Sequence, residues 1–214
     1  MRHRQFFERA VRRGYHHGQL KDALLDAARI LVATRGASGF TLAEAAKMVG
    51  VTGAAPYRHF ADRQALMSEL ARRGFDMFGQ RLAGAWNDGK PDPKTAFQRM
   101  GEAYISFARE EPGLYGAMFS DHRAPNSPDA AIASQSFGFL QTAVCAILAT
   151  YGLGPDAAQP VALEVWALSH GVAMLTLAGH LDTERTGRDA RAIVSQGCAG
   201  LIEMAVRRAA TKGS

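Results

Sequence analysis

Between Thr41 and Phe60 the chain reads TLAEAAKMVGVTGAAPYRHF, and the gap in the middle of that stretch constrains the fold most. Thr41-Leu-Ala-Glu44 has the spacing of a capping box, in which the Thr41 hydroxyl accepts from the Glu44 amide and the Glu44 carboxylate reaches back. The helix it opens is expected to bury Leu42, Ala45, Ala46 and Val49 and to stop at Gly50. A third short helix is expected from Thr52 to about Phe60, so only Gly50, Val51 and Thr52 remain to join the two. A link that short forces its helices to cross steeply around a shared core, which is a helix-turn-helix.

The flanking segments supply the rest of that core. Upstream, Leu20, Leu24, Ala27, Ala28 and Leu31 mark one face of a helix that runs to about Thr34 and ends at Gly36. Downstream, a helix from near Asp62 carries Met67, Leu70, Ala71, Gly74, Phe75 and Phe78 on one face. The turn-rich NDGKPDP (Asn87 to Pro93) then reads as a break, followed by helices at about 93–109, 113–120, 129–151, 159–181 and 188–210. No strand-like alternation of useful length is present. The expected fold is all-α: a DNA-binding-type head at 1–63, a connecting helix at 64–86 and a helical domain at 87–214.

Charge is distributed unevenly along the chain. Residues 1–63 hold 11 Lys and Arg against 5 Asp and Glu, a balance of +6, whereas the remainder holds 14 against 15, or −1. A basic region of that kind suits a polyanion, nucleic acid first and a membrane surface second. No run of about 18 uninterrupted apolar residues suggests a transmembrane helix. The basic N-terminus lacks the apolar stretch of a secretory signal. Cys145 and Cys198 each sit in an apolar helical context and read as reduced thiols of a cytoplasmic protein.

A helix from Thr52 placed in the major groove of DNA gives the odd composition of this stretch a purpose. Gly53, Ala54 and Ala55 keep its front slim, so the backbone can approach base edges. Pro56 falls near the first turn, where a missing amide proton costs least. Tyr57 and His59 can donate to phosphate oxygens, Arg58 can do so or reach a base, and Phe60 returns to the core. Arg63 in the first turn of the next helix opposes the helix dipole, which makes sense if it meets an external anion.

TLAEAAKMVGVTGAAPYRHFADRQALMSELA resembles the helix-turn-helix of the TetR/AcrR family of transcriptional regulators. The shared pattern is Val49-Gly50-Val51 closing one helix, Thr52 opening the next, Tyr57 and Phe60 ending it, and a basic residue three positions later, here Arg63 rather than lysine. Pro56 departs from the bulky apolar residue usual before the tyrosine. YHHGQLKDALLDAA (Tyr15 to Ala28) is similar to the family's first helix and its lead-in. The resemblance implies phosphate contacts from Thr41, Thr52, Tyr57, His59 and Arg63, with Tyr15, His16 and His17 touching the backbone before the first helix. Groove contact falls to Gly53, Ala54, Ala55 and Arg58. With Arg58 the only strong bidentate donor, direct base readout looks thin, and phosphate positioning and DNA shape carry more of the preference.

The C-terminal part carries VWALSHGVAMLTLAGHL and IVSQGCAGLIEMAV. Glycine inside a helix costs about 1 kcal/mol against alanine, and close helix–helix approach would explain Gly171, Gly179, Gly197 and Gly200. The W-x-x-x-H-G of Trp166, His170 and Gly171, with EEPGLYGAMF (Glu110 to Phe119), is similar to one TetR subgroup, and implies a dimer formed by the last two helices. Such a dimer expects an inverted-repeat operator. The same resemblance implies a small-molecule effector, with Tyr104, Phe107, Tyr115, Met118, Phe119, Phe137, Leu140, Trp166, His170 and Met174 as candidates to line its cavity; plain core is the more ordinary use of each. The implied whole is a ligand-responsive repressor without a cofactor. Its rivals are a helix-turn-helix interaction protein that does not read DNA and, last, an enzyme. The sequence has no Gly-rich phosphate loop, no Gly-x-Ser-x-Gly, no HExxH, and no histidines and cysteines at metal-ligand spacing.

Overall fold

A computed structural model describes residues 17–120, 128–181 and 187–212. Every regular element among the described residues is helical: α1 (His17–Arg35), α2 (Leu42–Met48), α3 (Arg63–Trp86), α4 (Pro93–Glu110), α5 (Pro112–Met118), α6 (Pro128–Ala149), α7 (Ala158–Leu177) and α8 (Ala190–Lys212), with short 3₁₀ turns at Ala55–Arg58, Asn87–Gly89 and Pro155–Ala157. The chain divides into two compact units, Met1–Gly74 with Gly113–Asp129, and Phe75–Pro112 with Ala130–Ser214.

In the first unit α1 buries Leu24, Leu25, Ala27, Ala28, Leu31 and Val32. Gly36 stops it at φ +80°. The capping box of α2 forms as its residues dictate. The Glu44 amide donates to the Thr41 hydroxyl at 3.2 Å, and the Thr41 amide donates to the Glu44 carboxylate at 2.8 Å. At the other end Gly50 takes φ +77°. Its amide bonds the Lys47 carbonyl at 3.2 Å, and the Val51 amide bonds that of Ala46 at 3.1 Å, the paired bonds of a Schellman stop.

The expected third helix is shorter than its sequence suggests: only Ala55–Arg58 is helical, as a single 3₁₀ turn. Pro56 is the physical reason. An α-helix starting at Thr52 needs the amide of residue 56 to bond the Thr52 carbonyl, and proline has none. The Ala55 amide takes that carbonyl instead, one residue early, at 3.0 Å. Both His59 and Phe60 then donate to the Pro56 carbonyl, at 2.9 and 3.0 Å.

The division between units falls inside α3, after Gly74. The first half of α3 buries Leu66, Met67, Leu70 and Ala71 in the first unit. The second half belongs elsewhere: Phe78 lies 5.0 Å from the Tyr104 ring and 5.2 Å from that of Phe107, within the second unit. The Asn87–Gly89 turn, with Asn87 and Asp88 at positive φ, is therefore an internal corner of the second unit. The short α5 returns to the first unit because small residues let it. A Cβ at Gly113 would overlap the Arg29 carbonyl oxygen, and one at Gly74 would sit 2.7 Å from Cγ of Met118.

The second unit is built on mutual packing of α4, α7 and α8, with Ala143, Val144, Ile147 and Leu148 of α6 also buried. Pro155–Leu177 is long and apolar enough to cross a membrane by length and composition alone; its most apolar 18 residues have a mean hydropathy of 1.3 and are 33% buried. Its inner face, Val161, Ala162, Val165, Val172 and Ala173, is core.

Candidate nucleic-acid interface

The reading turn presents a narrow edge. Thr52, Gly53 and Ala54 are exposed, Ala55 is half-buried, and Pro56 turns inward. Phe60 is buried, with only 4% of its surface accessible, which anchors the turn on the head's core. Tyr57 stands out at 60% exposure beside an exposed Arg58. Gly53 lies close to the preceding helix, α2: a Cβ there would meet Cβ of Ala43 at 3.8 Å. Ala43 and Lys47 lie one helical turn apart on α2, so they share a face. The outer face of α2 and the reading turn are thus one continuous surface.

On that surface two cations are available. Among the described basic residues of the head, Lys21 pairs with Glu69 at 3.3 Å, Arg35 with Glu44 at 2.8 Å, Arg73 with Asp22 at 2.6 Å, and Arg72 with Glu69 at 2.9 Å. Arg29 lies 4.0 Å from Asp26. Lys47 and Arg58, both exposed, have no such partner among the described residues. Lys47 is not a residue that the sequence motifs single out. A signal is nevertheless present, since a lysine three residues before the Gly50 stop, on the solvent face of the first helix-turn-helix helix, is next to whatever the second one reads.

The other expected contacts are placed differently from one another. The Thr41 hydroxyl both accepts from the Glu44 amide and donates to its carboxylate at 3.0 Å, so its proton is engaged within the chain. His59 is half-buried with Nε2 shielded from solvent. Arg63 points inward, its Nη2 donating to the Ala37 carbonyl at 2.9 Å. Tyr15, His16 and the side chain of His17 lie outside the described residues.

Within the head, Glu69 ties α3 to α1 through Lys21. Hydrogen bonds from Arg72 first, then Lys21, hold its carboxyl at about 2, against an ordinary 4.5. A carboxylate whose folded pKa is depressed stabilises the fold above its unfolded value, and that stability is lost as pH falls from about 4.5 toward 2. Glu69→Gln is expected to lower the stability of the head by about 1 kcal/mol at neutral pH, a value reduced by solvent screening. Urea titrations of both proteins check this: the gap between them should shrink at acid pH and stay flat from pH 6 to 8.

The candidates in the C-terminal part do not form one set. Tyr115, Met118 and Phe119 belong to the first unit and the other seven to the second. Tyr104 and Phe107 are buried in the cluster with Phe78, and the Arg81 guanidinium lies 5.5 Å over the Phe107 ring. Tyr115 is fully buried against Phe119, ring centres 4.8 Å apart. Trp166 and Met174, by contrast, are 38% and 47% exposed on the outer face of α7. Between these extremes lie half-buried Phe137, Leu140 and His170. The Trp166 ring is 6.0 Å from both Phe137 and His170, and burial pulls the His170 pKa below the ordinary imidazole value. A surface hollow of the second unit lined by Glu102, Asp189, Arg191, Ala192, Ser195 and Gln196 is polar and contains none of the ten.

The four glycines separate as well. Gly197 faces α7 within the subunit, where a Cβ would sit 2.5 Å from Cδ2 of Leu168. Gly179, at φ +74°, terminates α7 through bonds from its own amide to Thr176 and from His180 to Leu175. Only Gly171 and Gly200 sit within helices with open space beyond them. Cys198 is buried, which pushes its thiol up to about 11, with the Ser169 hydroxyl 4.0 Å away. Cys145 is half-buried and also a free thiol.

A capped helix, a tight stop, a slim turn and an accessible basic edge define a helix-turn-helix protein of the transcription-regulator class. Comparison with known proteins agrees. Residues 24–70 match the family model described as bacterial regulatory proteins, tetR family, and residues 97–201 match that described as tetracyclin repressor-like, C-terminal domain. The chain belongs to the TetR family. It is 32% identical over 100 residues to the uncharacterized HTH-type transcriptional regulator YobS of Bacillus subtilis, a match spanning 47% of this chain and 51% of that one, about half its length. It is 26% identical over 166 residues to the uncharacterized HTH-type transcriptional regulator Rv0681 of Mycobacterium tuberculosis, covering 76% and 72% of the two chains. A solved structure of a protein of unknown function from Rhodococcus sp. RHA1 superposes with a TM-score of 0.73 at 30% identity, covering 89% of this chain and 97% of that one.

Proposed function

We propose that the protein is a cytoplasmic repressor that binds an inverted-repeat DNA operator as a homodimer and is released by a small apolar or amphipathic effector taken up by its C-terminal part. The observation that carries the DNA reading is the continuous edge of Lys47, Gly53, Ala54, Tyr57 and Arg58. Here slim residues face outward and the two cations have no ion-pair partner among the described residues, while the head's other described cations are engaged within the chain. The Thr52 hydroxyl and backbone groups of the turn add neutral donors. His59 and Thr41 contribute less than their residue types suggest, because the chain already uses or covers them.

The dimer rests on α7 and α8. Leu163, Trp166, Met174 and Leu177 leave an apolar stripe on the outside of α7, Met204 does so on α8, and Gly171 and Gly200 are open beside them. A stripe of that kind suits a self-complementary two-fold contact. The effector reading rests on the half-buried Phe137, Leu140 and His170 beside the exposed Trp166 ring, which leave apolar surface within reach of a ligand. An effector acts by binding better to the subunit arrangement that no longer fits successive major grooves, and the coupling is reciprocal.

The test is to incubate ligand-free protein with sheared genomic DNA from its source, recover bound fragments at moderate salt, and sequence them. Recovery of an inverted repeat, with binding that weakens steeply as salt rises, is the expected result. Binding indifferent to salt would instead favour an apolar docking partner and overturn the DNA reading.

A further inference from the structure

Arg63 is the side chain whose observed position departs furthest from what its residue type and place in the sequence suggest. It stands in the first turn of α3, where a cation opposes the helix dipole. The compensation comes from inside the chain. Nη2 donates to the Ala37 carbonyl at 2.9 Å, and the guanidinium carbon lies 5.3 Å over the Phe40 ring. Both partners belong to the turn that joins α1 to α2. That turn is tight: the Gly39 amide bonds the Gly36 carbonyl at 3.1 Å, and a Cβ at Gly39 would overlap the Arg35 carbonyl oxygen. Phe40 is buried, and the next residue, Thr41, begins the capping box whose Glu44 is held by Arg35 at 2.8 Å. A residue that follows the reading turn therefore grips the segment that precedes α2, closing a ring around the helix-turn-helix.

We infer that Arg63 is a positioning residue for DNA binding: it fixes the start of α2 against the start of α3, and so sets where Lys47 and Arg58 stand, without itself meeting a phosphate. A guanidinium fits this task and an ammonium does not, because the planar group can lie on the ring and still direct an N–H at the carbonyl. The inference rests on the DNA-binding reading above.

The experiment measures affinity of the full chain for a fluorescein-labelled random-sequence duplex across a range of salt concentrations. It compares wild type with Arg63→Gln, Arg63→Lys, Phe40→Leu and the double variant Arg63→Gln/Phe40→Leu, with Lys47→Gln as the reference for removal of a phosphate-binding cation. Both Arg63 variants are expected to weaken binding about tenfold and to share one salt slope, the charge kept by lysine rescuing neither, whereas Lys47→Gln lowers the slope by about 0.9 for each phosphate it leaves unneutralised. The double variant is expected to bind no more weakly than the worse single one, since the same arrangement is broken in each case. A slope that falls in Arg63→Gln and is restored in Arg63→Lys makes Arg63 a phosphate contact and overturns the inference; so does unchanged affinity in both. Circular dichroism checks that each variant is folded, and if Arg63→Gln is not, Arg63→Lys decides: affinity lost about tenfold supports the inference and wild-type affinity overturns it. Wild type that fails to bind the duplex removes the DNA reading itself, an outcome separate from any behaviour of Arg63.

Discussion

Replacing Lys47 and Arg58 together by glutamine is expected to lower affinity for duplex DNA by about three orders of magnitude near 0.1 M salt. The size follows from counterion release, in which each phosphate neutralised adds about 0.9 to the slope of log affinity against log salt, or roughly eightfold at that concentration. Two phosphates met per subunit make four in a dimer, and eightfold four times over is a few thousandfold. The effect is large because neither cation has an ion-pair partner among the described residues. Arg35, Arg72 and Arg73 are already committed to Glu44, Glu69 and Asp22, and using them would mean breaking those pairs. Neither Lys47 nor Arg58 is buried, so the variant should keep the helical content and melting behaviour of the wild type. A salt titration of binding is the decisive measurement. A slope lower by about 3 to 4 supports the assignment; an unchanged slope would sink it and direct attention to residues before His17.

Most of the head is legible in the sequence because its local signals agree with one another. Thr41 and Glu44 cap the same helix that Gly50 ends, and each does so by the bond its residue type favours. What the sequence conceals are cases where one residue overrides a pattern. Pro56 reads as tolerable in a first turn, but it removes the amide that an α-helix from Thr52 requires, so a 3₁₀ turn results. Arg63 reads as a cation seeking an anion, and its partner is a backbone carbonyl 26 residues away, which no local pattern reveals. Lys47 is inconspicuous because it carries no motif; it stands out only against the ion pairs made by Lys21, Arg35, Arg72 and Arg73.

The C-terminal part is legible in where its described helices run but not in the use of its residues. Periodicity marks α7 as a helix, yet cannot say which of its apolar faces is inside, because both are apolar: Val165 is core and Trp166, one position on, is 38% exposed. Nor does a glycine state its reason. Gly179 ends a helix, Gly197 admits Leu168, and Gly171 and Gly200 open outward, four similar-looking positions with three physical causes. The division within α3 is hidden for a similar reason, since one uninterrupted helical pattern serves two units and the turn-rich Asn87–Pro93 stretch lies inside one of them.

Leu163→Glu is expected to convert the protein to a folded monomer and to cost DNA affinity a further two orders of magnitude or more. Leu163 is 52% exposed on the subunit and begins the stripe that continues through Trp166 and Met174, so its replacement removes no intramolecular core packing. In a two-fold contact each substitution is made twice, and each new charge is placed against apolar surface of the mate or near its own copy. The fall in DNA binding then follows without any change in the reading head. Two linked heads bind a repeat with an advantage of about 10²- to 10⁴-fold over one head, and a monomer forfeits it. Tyr151→Glu, at an equally exposed position beyond the end of α6, is the control and should leave both assembly and binding unchanged. Sedimentation velocity reads the assembly directly. If Leu163→Glu still sediments as a dimer, the outer stripe of α7 is not where the subunits meet, and the apolar face must be assigned to another partner.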